Sequence, residues 1–151
     1  MTLDTRNLRD RIVSHAMRTG LFERVNQHEP KNAPGLGRTC SITFRSIGPA
    51  RGQSGLATTT ALVVFMVRIQ TPMLQEPQDD IDGVLMEAVD VLMQAYSVDF
   101  DLEGTIRSVD LLGLSGTPLA ARAGYINHDG KMFRTVDIDL PLIVNDVWDQ
   151  E

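Results

Sequence analysis

Apolar and polar positions alternate along this chain with two different periods, and the points where the period changes divide it into elements. Residues Leu119 to Pro141 hold two alternating segments that meet at Asp129-Gly130, the dipeptide best suited to a tight antiparallel turn. Pairing His128 with Lys131 puts Leu119, Ala121 and Ala123 on one face with Leu140, Ile138 and Val136. Arg122 then lies opposite Asp137 on the other face. This hairpin is expected to turn one face to the core and the other to solvent.

The strongest strand is Thr59 to Gln70. Ala61, Val63, Phe65, Val67 and Ile69 define one face, while Leu62, Val64 and Met66 make the opposite face apolar in the middle. Such a strand is expected to be central, because each apolar side chain left in water forgoes about 1.5–3 kcal/mol. Thr39 to Ser46 alternates again, and weaker strand patterns occupy Leu21 to Val25 and Thr105 to Leu112. Helical spacing of Leu8, Ile12 and Ala16, with Asp4 or Thr5 as cap and Gly20 as stop, predicts a first helix. A second begins at Asp79 or Asp80 and carries a stripe of Ile81, Val84, Leu85, Ala88, Val91 or Leu92, and Ala95. Breaker-rich stretches from His28 to Arg38 and from Gly48 to Gly55 are predicted loops. Val144, Val147 and Trp148 read as an apolar tail able to dock on a partner. The predicted fold is a single α+β domain over residues 1–151, a mainly antiparallel sheet with two helices packed on it.

Composition narrows the class. With 151 residues, 42% of them hydrophobic, the chain supports one ordinary core. Its longest apolar run, Ala61 to Val67, is far below the roughly 20 residues of a membrane helix. The charged residues near the start leave no secretory signal pattern, so an intracellular setting is expected. The lone Cys40 cannot form an internal disulfide and reads as a small buried strand residue.

Charge is segregated beneath the net value of -6: residues 1 to 70 carry ten basic and four acidic side chains, whereas no lysine or arginine lies between Ile69 and Ile106. That acidic third holds Glu76, Asp79, Asp80, Asp82, Glu87, Asp90, Asp99, Asp101 and Glu103. A solvated acidic helix face accounts for part of this. The further expectation is head-to-tail contact, in which basic surface around Arg38, Arg45 or Arg51 meets Asp79, Asp80 or the Asp99, Asp101 and Glu103 turn of a neighbour.

Chemical motifs are sparse. Asp99, Asp101, Glu103, Gly104 and Asp110 approach the spacing of a calcium loop, but the last ligand is Asp instead of Glu, and Gly113 and Pro118 interrupt the exiting helix. A small calcium- or ligand-binding module is therefore the alternative reading. Gly113-Leu-Ser-Gly116 is one residue short of a nucleophile elbow, and His15, His28 and His128 have no metal-ligand spacing. No enzyme, cofactor or metal site is expected. The acidic balance argues against retention on nucleic acid, yet suits a channel through which DNA slides without sticking.

The element order, together with Arg122-Ala-Gly-Tyr125 leading through His128-Asp-Gly-Lys131 to Phe133-Arg-Thr-Val136-Asp-Ile138, resembles the tail terminator proteins of long-tailed, lambda-like bacteriophages. The resemblance implies a structural virion protein assembled in the host cytoplasm. It would form a homohexameric ring that caps the tail tube, ends its polymerisation and joins it to the head. Implied partners are further copies of itself, the tail tube protein and a head-tail connector or stopper, with DNA passing through the lumen. By the same resemblance the loop from Gly48 to Gly55, with Arg51 and Gln53, would reach a neighbour or the tube. The stretch between the second helix and the hairpin is longer than in that family, which keeps another neck component, a stopper or completion protein, open as an alternative.

Overall fold

The computed structural model describes residues 4–20, 24–26, 39–50, 58–72, 80–99, 102, 106–113, 116–128 and 130–149. In chain order the elements are α1 (Thr5–Arg18), β1 (Arg24–Asn26), β2 (Thr39–Pro49), β3 (Thr58–Pro72), α2 (Asp80–Val98), β4 (Ser108–Val109), β5 (Ala120–His128) and β6 (Lys131–Asp149). The fold is α+β. The sheet has six strands in the order β1-β2-β3-β6-β4, with β5 also on β6, and every pairing is antiparallel except that of β1 with β2.

Local chemistry places the helices. Asp4 caps α1 by accepting from the Asn7 backbone N–H at 3.2 Å, and Gly20 leaves the helix at a φ of +68°. The stripe of α2 resolves in favour of Leu92, which is buried, whereas Val91 is exposed. Tyr96 extends that stripe, fully buried, and its hydroxyl donates to the Ile12 carbonyl at 3.4 Å. One apolar cluster joins Leu8, Ile12 and Ala16 of α1 and Leu85, Ala88 and Leu92 of α2 to Ile42, Val63, Val67, Ile138 and Leu140 of the sheet. Both helices therefore share one face of the sheet.

The hairpin register matches its pattern: His128 pairs with Lys131 and Arg122 with Asp137, with Gly130 at a φ of +78°. Other expectations are corrected. β2 continues through Gly48 and Pro49, because a bulge between Phe44 and Ser46 absorbs one residue and lets pairing with β3 resume. The strand expected over Thr105 to Leu112 shrinks to Ser108–Val109. There the chain turns tightly, with Leu111 donating to the Val109 carbonyl and Gly113 at a φ of +74°. A Cβ on Gly113 would stand 2.7 Å from the Pro118 nitrogen, so this crossing requires glycine. Ala121 and Ala123, expected in the core, are exposed: α2 packs chiefly over β3 and β6 and leaves these β5 side chains uncovered. The expected apolar tail is instead the end of β6, where Trp148 pairs with Thr59 in the backbone ladder and Val144 packs against the core.

On the opposite face, near the Thr39 end of β2, both amide atoms of Gln70 and the Ser41 hydroxyl oxygen are buried without hydrogen-bond partners. Such groups cost about 1–3 kcal/mol each. Replacing Gln70 with Met is accordingly expected to raise the free energy of unfolding by about 1 kcal/mol, whereas Leu140→Ala lowers it by about 2–5 kcal/mol. Urea unfolding of the three proteins checks both signs.

Candidate interaction surface

The face of the sheet away from the helices is built from every second residue of β2, β3, β6 and β5, and the register lays charges side by side. Ser41, Arg68, Asp137 and Arg122 form one row across the strands, and Thr43, Met66, Asp139 and Ala120 the next. Arg68 grips Asp137 with two bonds, Nε to Oδ1 at 2.7 Å and Nη2 to Oδ2 at 3.2 Å. Arg45, displaced by the bulge, donates to Asp139, and Arg122 approaches the same carboxylate at 3.8 Å. Asp139 is thus held between two guanidinium groups, and Arg68, which is mostly buried, fixes the neighbouring row. The arrangement sets three arginines against two carboxylates, so each cation lies beside an aspartate of its own sheet and the cluster carries one surplus positive charge.

Two stretches of strand at opposite sides of the sheet lack a neighbour among the described residues. β1 pairs with Thr39 to Ser41 alone, which leaves β2 open from Ile42 to Pro49. β5 is open along its whole outer edge. Phe44, Ile47, Tyr125 and Met132 are exposed along these stretches and their partners. Tyr125 carries the Arg134 guanidinium over its ring at 4.4 Å, and Arg134 in turn donates to Asp82 of α2 at 2.9 Å and to the Gly124 carbonyl at 3.3 Å. Beside the open stretch of β2 lies a cleft of about 370 Å³ lined by Thr5, Arg6, Arg9, Phe44 and Phe65, whose two phenyl rings meet edge to face. The Arg9 Nε is buried there without a hydrogen-bond partner.

The residues expected at an interface fall in four groups. Arg45 is half-exposed but already paired with Asp139 of its own chain. Asp99 lies behind α1, its Oδ2 2.8 Å from His15 Nε2, and His15 packs edge to face on Tyr96. The nitrogen forms no aligned hydrogen bond, so this is a close polar contact, and it directs Asp99 toward its own helix layer. Asp80 begins α2 and Trp148 pairs near the end of β6. Arg38, Arg51, Gln53, Asp79, Asp101 and Glu103 lie outside the described residues. Asp110, the last position of the calcium-like spacing, is buried after β4, with its N–H donating to the Pro141 carbonyl. Among the described residues no three metal-ligating side chains converge.

Asp137 was legible as a partner for Arg122, but the structure gives it to Arg68. The sequence pattern assigns no ion-pair partner to Arg68, Asp139 or Arg134, although the alternation of β3 places Arg68 on the polar face and the register then brings it to Asp137. Cys40 is fully buried, and burial pushes its thiol from 9.0 up to about 12. Burial also raises the Tyr96 hydroxyl well above its ordinary range, with Cys40 adding to the shift.

No family model and no curated protein matches this chain. A solved structure aligns with 91% of this chain and 90% of its own length at 17% identity and a TM-score of 0.47, a likeness too slight to carry an argument.

Arg68→Ala is expected to cost about 1.5–3 kcal/mol of stability, because it strands Asp137, whereas Arg122→Ala stays within about 0.5 kcal/mol. Denaturant titration distinguishes them. The thiol at Cys40 is expected to resist alkylation at pH 8 in the native protein and to react once unfolded. Its folded value lies above its unfolded value, so its contribution to stability is complete below about pH 9 and is lost as pH rises toward about 12.

Proposed function

We propose that this chain is the ring-forming subunit of a phage tail terminator, a structural protein that caps the tail tube and joins it to the head. The observation that carries the reading is the pair of strand edges left open among the described residues. β2, β3, β6 and β5 are antiparallel in succession, so β2 and β5 run in opposite directions at the two sides of the sheet. A copy related by rotation about an axis along the strands brings its β5 to this β2 in antiparallel pairing, and the contact repeats until the ring closes. An isolated monomer with two such edges invites uncontrolled association, which closure removes.

The charged face supports the same role. In a ring its arginines stay beside Asp137 and Asp139, so DNA meets largely neutralised charge instead of a string of unpaired cations, and the attraction that would stall it is weakened. The loop containing Arg51 and Gln53 would meet the tube protein and stop its polymerisation. No step of chemistry is assigned, and the partners are copies of the chain, the tube and the head-side connector.

Light scattering across concentration and salt, followed by imaging, tests the reading. A closed ring of discrete size that binds tube ends is expected, and charge reversal at Arg45 and Arg51 together is expected to alter assembly or tail length. A monomer that stays monomeric when mixed with tail tubes overturns the proposal.

A further inference from the structure

Among the described residues the helix layer has a gap over β5. α1 packs over β1 and β2, and α2 over β3 and β6, while Ala121 and Ala123 on the helix side of β5 are exposed. Small side chains there leave room for an element to lie close against the strand. Along α2, on the flank that reaches toward this gap through Asp82 and Arg134, Asp82, Met86 and Asp90 recur every fourth residue and are all exposed. Asp82 is already held by Arg134, so Asp90 carries the negative charge of that flank, beside one large apolar side chain. On the far side of the sheet, beside the open edge of β2, the first turns of α1 present the opposite chemistry: Arg6 and Arg9, with a buried Nε lacking a partner, over exposed Phe44.

We propose that the uncovered helix side of β5 is an interface for a second copy of this chain, whose α1 fills the gap and sets Arg6 and Arg9 against the Asp82, Met86 and Asp90 flank of α2. The inference rests on the ring reading and specifies its contact. Charge complementarity selects the occupant, since an acidic flank repels another acidic flank and an isologous pairing of two β5 edges would bring two such flanks together. Direction agrees, because β5 meets an open β2 edge antiparallel, and α1 is the helix that overlies β2 in the incoming copy. The layers agree as well: a rotated copy keeps its helices on the same side, so α1 and α2 alternate around the ring as basic and acidic members of one continuous layer. Met86 then meets the Phe44 side of the arginine cleft, which supplies apolar contact beneath the ion pairs.

Two charge-swapped full-length variants test this. The first, Arg6→Glu with Arg9→Glu, makes α1 acidic; the second, Met86→Lys with Asp90→Lys, makes the α2 flank basic and leaves the Asp82–Arg134 bond intact. Each alone is expected to assemble about tenfold more weakly than the unaltered chain at low salt. An equimolar mixture is expected to restore rings of alternating composition, because both of its contacts are again complementary. Restoration also shows that both variants fold. A third variant, Ala123→Trp, fills the gap at an exposed position and is expected to remain a folded monomer by circular dichroism and solution mass. Rings formed by all three variants alone, beside rings of the unaltered chain, would overturn this contact while leaving the ring reading in place. Failure of the mixture to assemble while each variant is folded would also overturn it. A chain that forms no ring, with or without tail tubes, would overturn both.

Discussion

The antiparallel ladder between β3 and β6 is the constraint to which every other part of this molecule answers. Its register runs from Thr58 and Asp149 at one end to Pro72 and Phe133 at the other. Within it, Val63, Phe65, Val67 and Ile69 stand beside Leu142, Leu140, Ile138 and Val136, a continuous apolar floor that neither helix could bury without the other. α1 and α2 are amphipathic, and most of their stability derives from packing on this floor. The same register fixes the reverse face, because the residues between the core positions are Arg68, Asp137 and Asp139. A slip of one residue would bury carboxylates and expose leucines, and this couples the hydrophobic and charged faces into a single choice.

That coupling explains which features were legible in the chain. Period-2 alternation and Asp129-Gly130 determine the β5–β6 hairpin locally, so its pairing could be read to the residue. The α2 stripe was readable except at its end, where Tyr96 takes a core place because its hydroxyl finds the Ile12 carbonyl across the helix pair. Burial on β5 was not readable: alternation says which side Ala121 and Ala123 face, but whether a helix reaches that far depends on tertiary placement. The ion pairs were half visible. Opposite charges on adjacent strands could be inferred, yet the bulge at Arg45 and the choice of Asp137 between Arg68 and Arg122 depend on geometry that only the assembled sheet supplies. The same holds for Asp99, whose acidic context suggested an outward role and whose place beside His15 turns it inward.

Two patterns of charge therefore serve two ends. On the sheet, arginines and carboxylates neutralise each other at short range and lose their influence at a distance. On the helices, basic α1 and acidic α2 remain separated, with Arg6 and Arg9 on one and Glu87 and Asp90 on the other, and their fields extend over about a Debye length. The segregation visible along the chain is thus carried chiefly by the helix layer, while the sheet neutralises most of its own charge.

β6 spans 19 residues, roughly 60 Å at the rise of an extended strand, and holds β3 along nearly all of one edge while β4 and β5 divide the other. Load applied along such a strand strains the whole ladder in shear, so its hydrogen bonds resist together, whereas a pull across it would peel them singly. Force directed along the strands meets the stiffest direction of the molecule, and the short β4 contact near Ile143 is where tearing from the side would begin.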